Sequence, residues 1–195
     1  MSSEDPLKWS KQEKYPNFLM SNTTETVKEG IPVKNAGLVL INHYLPMLFQ
    51  RLGLTDAHGF FLQDKPADAI QYLQFVATGL TETEAHYLAL NKVLCGVQIC
   101  GPVVNKIEIS SKDIELIEQL LRAVAGHWNA IGSTSTEGFR GNWLIREGIL
   151  VEYDDKWELF IEKRAYDLLL NQSPFTFSLI KYPWMSKPLY VQWPY

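Results

Sequence analysis

The sequence predicts an α+β fold, with about five helices that precede and pack on a small antiparallel sheet formed by the C-terminal third. Three observations carry that expectation. Residues 149–153 (ILVEY) and 157–161 (WELFI) are alternating runs around Asp154-Asp155-Lys156, and a period of two marks a strand with one buried face. Phe175 to Lys181 and Leu189 to Trp193 are two further extended runs, and the prolines of the intervening Tyr182-Pro183-Trp184-Met185-Ser186-Lys187-Pro188 exclude a continuing helix. Upstream, residues 36–146 repeat apolar side chains at helical spacing between recognisable caps.

In chain order, residues 1–32 are polar, with Pro6, Pro16 and Pro32, and read as a flexible N-terminal arm. Trp9, Tyr15, Phe18, Leu19 and Met20 make this arm more apolar than a linker needs. Residues 33–195 form one domain, with a helical part over 33–147 and a sheet over 148–195. Leu38, Ile41, Leu45, Leu48 and Leu52 place one apolar face on a helix from Ala36 to Leu54, which Pro46 should kink or break. Asp64 and Pro66 start a second helix that Gly79 stops. Thr81 and Glu84 have capping-box spacing for a third, running to about Cys95. Residues 97–109 contain Pro102 and read as extended or loop. Ser110 and Asp113 cap the clearest helix, with Ile114, Ile117, Leu121, Val124 and Trp128 as its stripe. Thr134 or Ser135 caps one more, ending near Arg146. In the hairpin, a three-residue loop pairs Tyr153 with Trp157, Val151 with Leu159 and Ile149 with Ile161, so all six share the core face. A short helical piece from Arg164 to Asn171 follows.

At 195 residues, with 46% hydrophobic residues, the chain is long enough to bury a proper core. Its net charge of −4, with no block of Lys and Arg, argues against nucleic acid or an anionic membrane as the main partner. No stretch offers about 18 uninterrupted apolar residues, so no membrane span is expected, and the N-terminus has no basic-then-apolar signal-peptide pattern. Cys95 and Cys100 read as two buried thiols. Phosphate loops, G-x-S-x-G and H-E-x-x-H are absent, and His43, His58, His86 and His127 lack partners at ligand spacing. The expectation is a chain that is not an enzyme, has no catalytic residues, and needs no metal and no cofactor. Tyr182, Trp184, Met185, Tyr190, Trp193 and Tyr195 crowd the last strands more than a small sheet usually buries. With Trp9, Tyr15 and Phe18 they are the candidate subunit interface, because Trp and Tyr carry interface energy.

These residues also carry a resemblance. Arg146-Glu147-Gly148, Leu150, Asp155, Trp157, Leu159, Glu162, Arg164-Ala165-Tyr166-Asp167 and Leu169-Leu170 are followed by residues 180–193 (IKYPWMSKPLYVQW). Upstream, residues 33–54, 69–79 and 90–96, then His127-Trp128 and residues 134–138 (TSTEG), continue it in order. The chain resembles the tape measure proteins of contractile injection systems over roughly residues 33–195. That resemblance implies a structural component of a phage-tail-like particle. Members carry a long N-terminal region, against about 32 residues here, and a helical span of that length covers only about 50 Å. The expectation is therefore a short, tape-measure-like plug, cap or assembly adaptor at an end of the inner tube, rather than the ruler.

Its partners would be inner tube, cap or baseplate and spike proteins, together with copies of itself in a ring of three-fold or six-fold character, with the arm on an adjacent subunit. It would be cytoplasmic when made, then built into a particle that can be released from the cell. A cargo-loading chaperone or adaptor of the same particle is the alternative. A small-ligand-binding or enzymatic domain is a third reading.

Overall fold

The computed structural model describes residues 29–195. Five short strands form one mixed sheet: β1 (Ile31–Val33), β2 (Gly148–Glu152), β3 (Trp157–Ile161), β4 (Leu179–Ile180) and β5 (Leu189–Gln192), ordered β1-β2-β3-β5-β4. Two features differ from the expected sheet. The edge strand β1 comes from the start of the domain, and it takes in Ile31 and Pro32 from the end of the expected arm. The β3–β5 pairing is parallel, so the sheet is not purely antiparallel. Parallel neighbours need a crossover, which residues 162–188 supply.

The hairpin register is shifted by one residue from the expected one. Glu152 pairs with Trp157, Leu150 with Leu159 and Gly148 with Ile161. The turn closes on Asp154-Asp155, with the Tyr153 N–H donating to the Lys156 carbonyl at 2.9 Å. A three-residue loop usually needs a left-handed residue where Lys156 stands. Among the described residues Asp64 is the only non-glycine with positive φ, so that cost is avoided. A one-residue slip moves every side chain to the opposite face. Leu150, Trp157, Leu159 and Ile161 therefore face the core, while Ile149, Val151 and Tyr153 lie on the other side of the sheet.

The helical half comprises α1 (Leu45–Arg51), α2 (Lys65–Thr78), α3 (Ala89–Leu94), α4 (Ser111–His127) and α5 (Thr136–Phe139), which runs into a π-turn over Arg140–Leu144. Ala36–Tyr44 is a 3-10 segment, and Pro46 sits in the first turn of α1, where its missing N–H costs nothing. The break expected at Pro46 is therefore a change of helix type. Asp64 and Gly79 flank α2 as expected, both left-handed. Nine consecutive residues of α2, from Ala69 to Ala77, are buried, so this helix is the spine of the core. The Thr81–Glu84 capping box does not form. Residues 81 and 83 pair instead with the 105–107 loop, through Ile107 N to Thr81 O at 3.0 Å and Thr83 N to Asn105 O at 2.8 Å. Only a 3-10 turn (Ala85–Tyr87) and the short α3 follow.

The Ser110 side chain accepts from the Asp113 N–H at 3.1 Å, capping α4 as its spacing implies. Ser110→Ala is expected to cost about 1 kcal/mol, measurable as a lower urea midpoint with an unchanged slope. Of the expected α4 stripe, Ile114 is exposed, while Ile117, Leu121, Val124 and Trp128 are fully buried. One apolar cluster runs from Val33 to Trp193 and joins both halves. Within it, Asn35 donates to Gln74 Oε1 (3.0 Å) and to Asn91 Oδ1 (2.5 Å), tying the end of β1 to α2 and α3.

Candidate interaction surface

The segment 180–188 lies across the junction between sheet and helices. The Tyr182 hydroxyl donates to the Asn42 carbonyl at 2.6 Å, and the Trp184 indole N–H donates to the Leu94 carbonyl at 2.9 Å. Trp184 also packs against Phe49 and Phe61, with centroids 6.0 and 4.9 Å away, and stacks on Tyr182 at 4.9 Å. Gly96 makes room for this clasp. It is left-handed, and a Cβ there would run into the Trp184 carbonyl. Burial raises the Tyr182 phenol, with Cys95 adding to the rise.

The two prolines and large aromatics of this stretch therefore join sheet to helices. Tyr182, Met185 and Trp193 are buried, and Trp184 is half-buried. Burial takes Tyr182, Met185 and Trp193 off the candidate subunit interface. The signal for a surface was local aromatic density, which also marks a clasp between two layers.

A second site joins the strings Arg146-Glu147-Gly148, Arg164-Ala165-Tyr166-Asp167 and Gln192-Trp193. Asp167 Oδ2 accepts from Arg146 Nη2 at 2.6 Å, from the Arg164 backbone N–H at 2.8 Å and from the Trp193 indole N–H at 3.0 Å. Arg146 and Asp167 are both fully buried. The guanidinium lies between the rings of Tyr166 and Trp193, 5.5 and 5.1 Å from their centroids, and donates to the Glu162 carbonyl at 2.9 Å. With no opening to solvent at either charge, this cluster reads as structural cement.

Among the exposed large hydrophobic side chains, two meet at the β4–β5 edge. Leu179 and Tyr190 are paired across these strands on the outer face and are 54% and 40% exposed, and Tyr195, at the chain end, is 50% exposed. Tyr190 and Tyr195 are thus the interface candidates that the structure places at the surface. Trp9, Tyr15 and Phe18 lie outside the described residues. Leu179 carries no surface signal in the sequence, because a Leu beside Ile180 in an extended run reads as core.

Among the described residues no group of three or more His, Cys, Asp or Glu could hold a metal ion, and no helix is long and apolar enough to cross a membrane. The two thiols are free but unlike each other: Cys95 is buried, and burial pushes its thiol up, whereas Cys100 is exposed. The expected pair of buried thiols is corrected at Cys100, which lies in the turn after α3. One thiol per folded chain is expected to react with a disulfide reagent at neutral pH, rising to two in guanidinium. Two reactive thiols in the native protein would contradict the packing of Cys95.

The sequence model of the contractile injection system tape measure protein family matches residues 1–193. The match extends to residue 1, beyond the stretch from 33 onward that carries the resemblance. Comparison with curated proteins and with solved structures gives no match.

Proposed function

Since the chain belongs to the contractile injection system tape measure protein family, we propose that it works as a plug, cap or assembly adaptor at an end of the inner tube. Its role there is structural, without catalysis. The observation that carries this reading is the family match, joined to a body whose layers are locked by the 180–188 clasp and the Arg146–Asp167 pair. A rigid body suits a part that must hold a fixed place in a stack.

The exposed Leu179–Tyr190 pair supports contact with a tube-end, cap or baseplate protein and with further copies of this chain. Exposed apolar side chains side by side offer an interaction site, and β4 is an edge strand of the sheet among the described residues, the position at which a further strand can add. The chain is made in the cytoplasm and stays in the particle.

The test is fractionation of assembled particles. The chain is expected to sediment with tube and sheath proteins at a fixed ratio. Leu179→Glu with Tyr190→Glu should leave the purified chain's Tm within a few degrees, as surface changes usually do, and lower its incorporation about tenfold. A chain that binds cargo in lysate and is missing from finished particles would replace this reading with that of a cargo-loading adaptor.

A further inference from the structure

We propose that residues 97–109, with the 81–83 stretch paired to them, form a lid over α2 and α3 that opens as one unit while the rest of the fold stays closed. The lid is built differently from what lies beneath it. Every residue from Leu88 to Cys95 is buried, as is every residue of α2 from Ala69 to Ala77. Over 79–87 and 96–110 not one is. Val97, Ile99, Val103, Ile107 and Ile109 are half-buried on the core, while Leu80 and Val104 are 57% and 62% exposed. A segment that buries so little apolar surface belongs to the part of a fold that opens at low free energy.

What latches the lid is polar. Lys92, on α3, donates through its ammonium to the carbonyls of Ile99 at 2.7 Å and Gly101 at 2.8 Å, and the Gln71 carboxamide of α2 donates to that of Val104. Both side chains belong to buried residues. A buried ammonium held by neutral carbonyls regains its hydration when the lid lifts, and Gln71 Oε1, which has no hydrogen-bond partner in the closed form, gains one from water. Opening over these groups therefore costs less than opening over apolar surface. The same latches give the closed lid a single position, because each one fixes a backbone carbonyl.

The lid is also one piece with fastened ends. The Thr83 N–H donates to the Asn105 carbonyl at 2.8 Å and the Ile107 N–H to the Thr81 carbonyl at 3.0 Å, on either side of the Glu82–Lys106 bridge. Within 97–109 the Gly101 N–H closes a turn on the Gln98 carbonyl at 2.9 Å. On one side Gly96 lies against the Trp184 backbone, and the Trp184 indole holds the Leu94 carbonyl. On the other, Ser110 caps α4. Where the 81–83 stretch leaves α2, the Gly79 N–H closes that helix on the Phe75 carbonyl at 2.7 Å. Motion is thus confined between these points, and it leaves the 180–188 clasp and the Leu179–Tyr190 pair in place.

The test is hydrogen exchange of the full chain, read at single amides by NMR, in water and in low urea. The Thr83, Gly101 and Ile107 amides are expected to exchange through one shared opening, at least about tenfold faster than those of Leu73 and Val76 in α2. Their rates should not respond to low urea, because a local opening exposes little surface. Lys92→Met keeps the length of the side chain and removes the latch. It should accelerate all three amides by a common factor of about ten or more, Thr83 included, although Thr83 lies outside the stretch that Lys92 holds. If this variant does not fold, Gln71→Met removes the Val104 latch and is read in the same way. Exchange of the three amides only together with Leu73 and Val76, at the full urea dependence of unfolding, overturns the proposal. Acceleration of Gly101 alone, or of none of the three, also overturns it, since the loop would then be a fraying turn and not a lid.

Discussion

Asp167→Ala is expected to destabilise the domain by about 3–5 kcal/mol, the usual cost of removing one partner from a buried ion pair. The carboxylate is the hub of its cluster, because a single oxygen accepts from Arg146, from the Arg164 backbone and from the Trp193 indole. Without it, a guanidinium with no solvent access keeps only the carbonyls of Glu162 and Asn142, at 2.9 and 3.3 Å, and two aromatic faces. Those partners do not neutralise a charge. Domains of this size have about 5–15 kcal/mol in total, so the variant should be poorly soluble, with a much lower denaturant midpoint. Arg146→Met with Asp167→Leu removes both charges and should recover most of the loss. A midpoint unchanged by Asp167→Ala would show that the pair does not hold the sheet to the 165–172 segment. A double variant as unstable as the single one would show that packing volume, rather than charge, is what matters there.

Which parts of this architecture were legible in the sequence follows from how local their causes are. Ser110 and Asp113, three residues apart, make their bond within one turn, so α4 could be placed from spacing alone. Pro66 and Gly79 bound α2 for the same reason. Thr81 and Glu84 have equally good spacing, but Thr81 and Thr83 find backbone partners in Ile107 and Asn105, and tertiary pairing outweighs a cap worth about 1 kcal/mol. The hairpin is legible in the sequence but its register is not, because both Ile149 and Leu150 are apolar and either could face inward. A tight slot decided between them. At Gly148 a Cβ would lie 2.7 Å from the Phe160 carbonyl and 3.1 Å from Ala36 Cβ, so the inward position opposite Ile161 suits a glycine and not an isoleucine.

The Arg146–Asp167 pair bridges 21 residues, and no periodicity reports that separation. Its trace in the sequence was charged residues set among apolar ones, Leu144-Ile145-Arg146 and Asp167-Leu168-Leu169-Leu170. The parallel β3–β5 pairing was equally hidden, since it depends on how residues 162–188 cross the fold.

Gly37→Ala is expected to be the most damaging single-methyl change in the helical half. Gly37 lies in the 3-10 segment Ala36–Tyr44, and its conformation is open to any residue, so backbone strain is not the issue. Space is. A Cβ built there overlaps the Trp143 carbonyl oxygen, with the carbonyl carbon at 2.7 Å and Leu144 Cα at 2.8 Å. All three are backbone atoms of the π-turn, and no rotamer can move them aside. Next to it, Ala36 N–H is bonded to Arg146 O at 3.0 Å, and Trp143 rests on Trp128 with centroids 4.3 Å apart. Adding the methyl must push two backbones apart, stretch that bond and loosen the pair of indoles together. Overpacking usually costs about 1–3 kcal/mol when side chains can yield; with backbone on both sides, about 3 kcal/mol or more is expected. Gly126→Ala is the matched control. Nothing lies within 4 Å of its Cβ position, and it sits near the end of α4, where alanine suits a helix better than glycine. Thermal unfolding of the two variants should shift in opposite directions, with Gly37→Ala falling by ten degrees or so and Gly126→Ala level or slightly higher. Equal small shifts would mean that the 3-10 segment and the π-turn do not approach backbone to backbone.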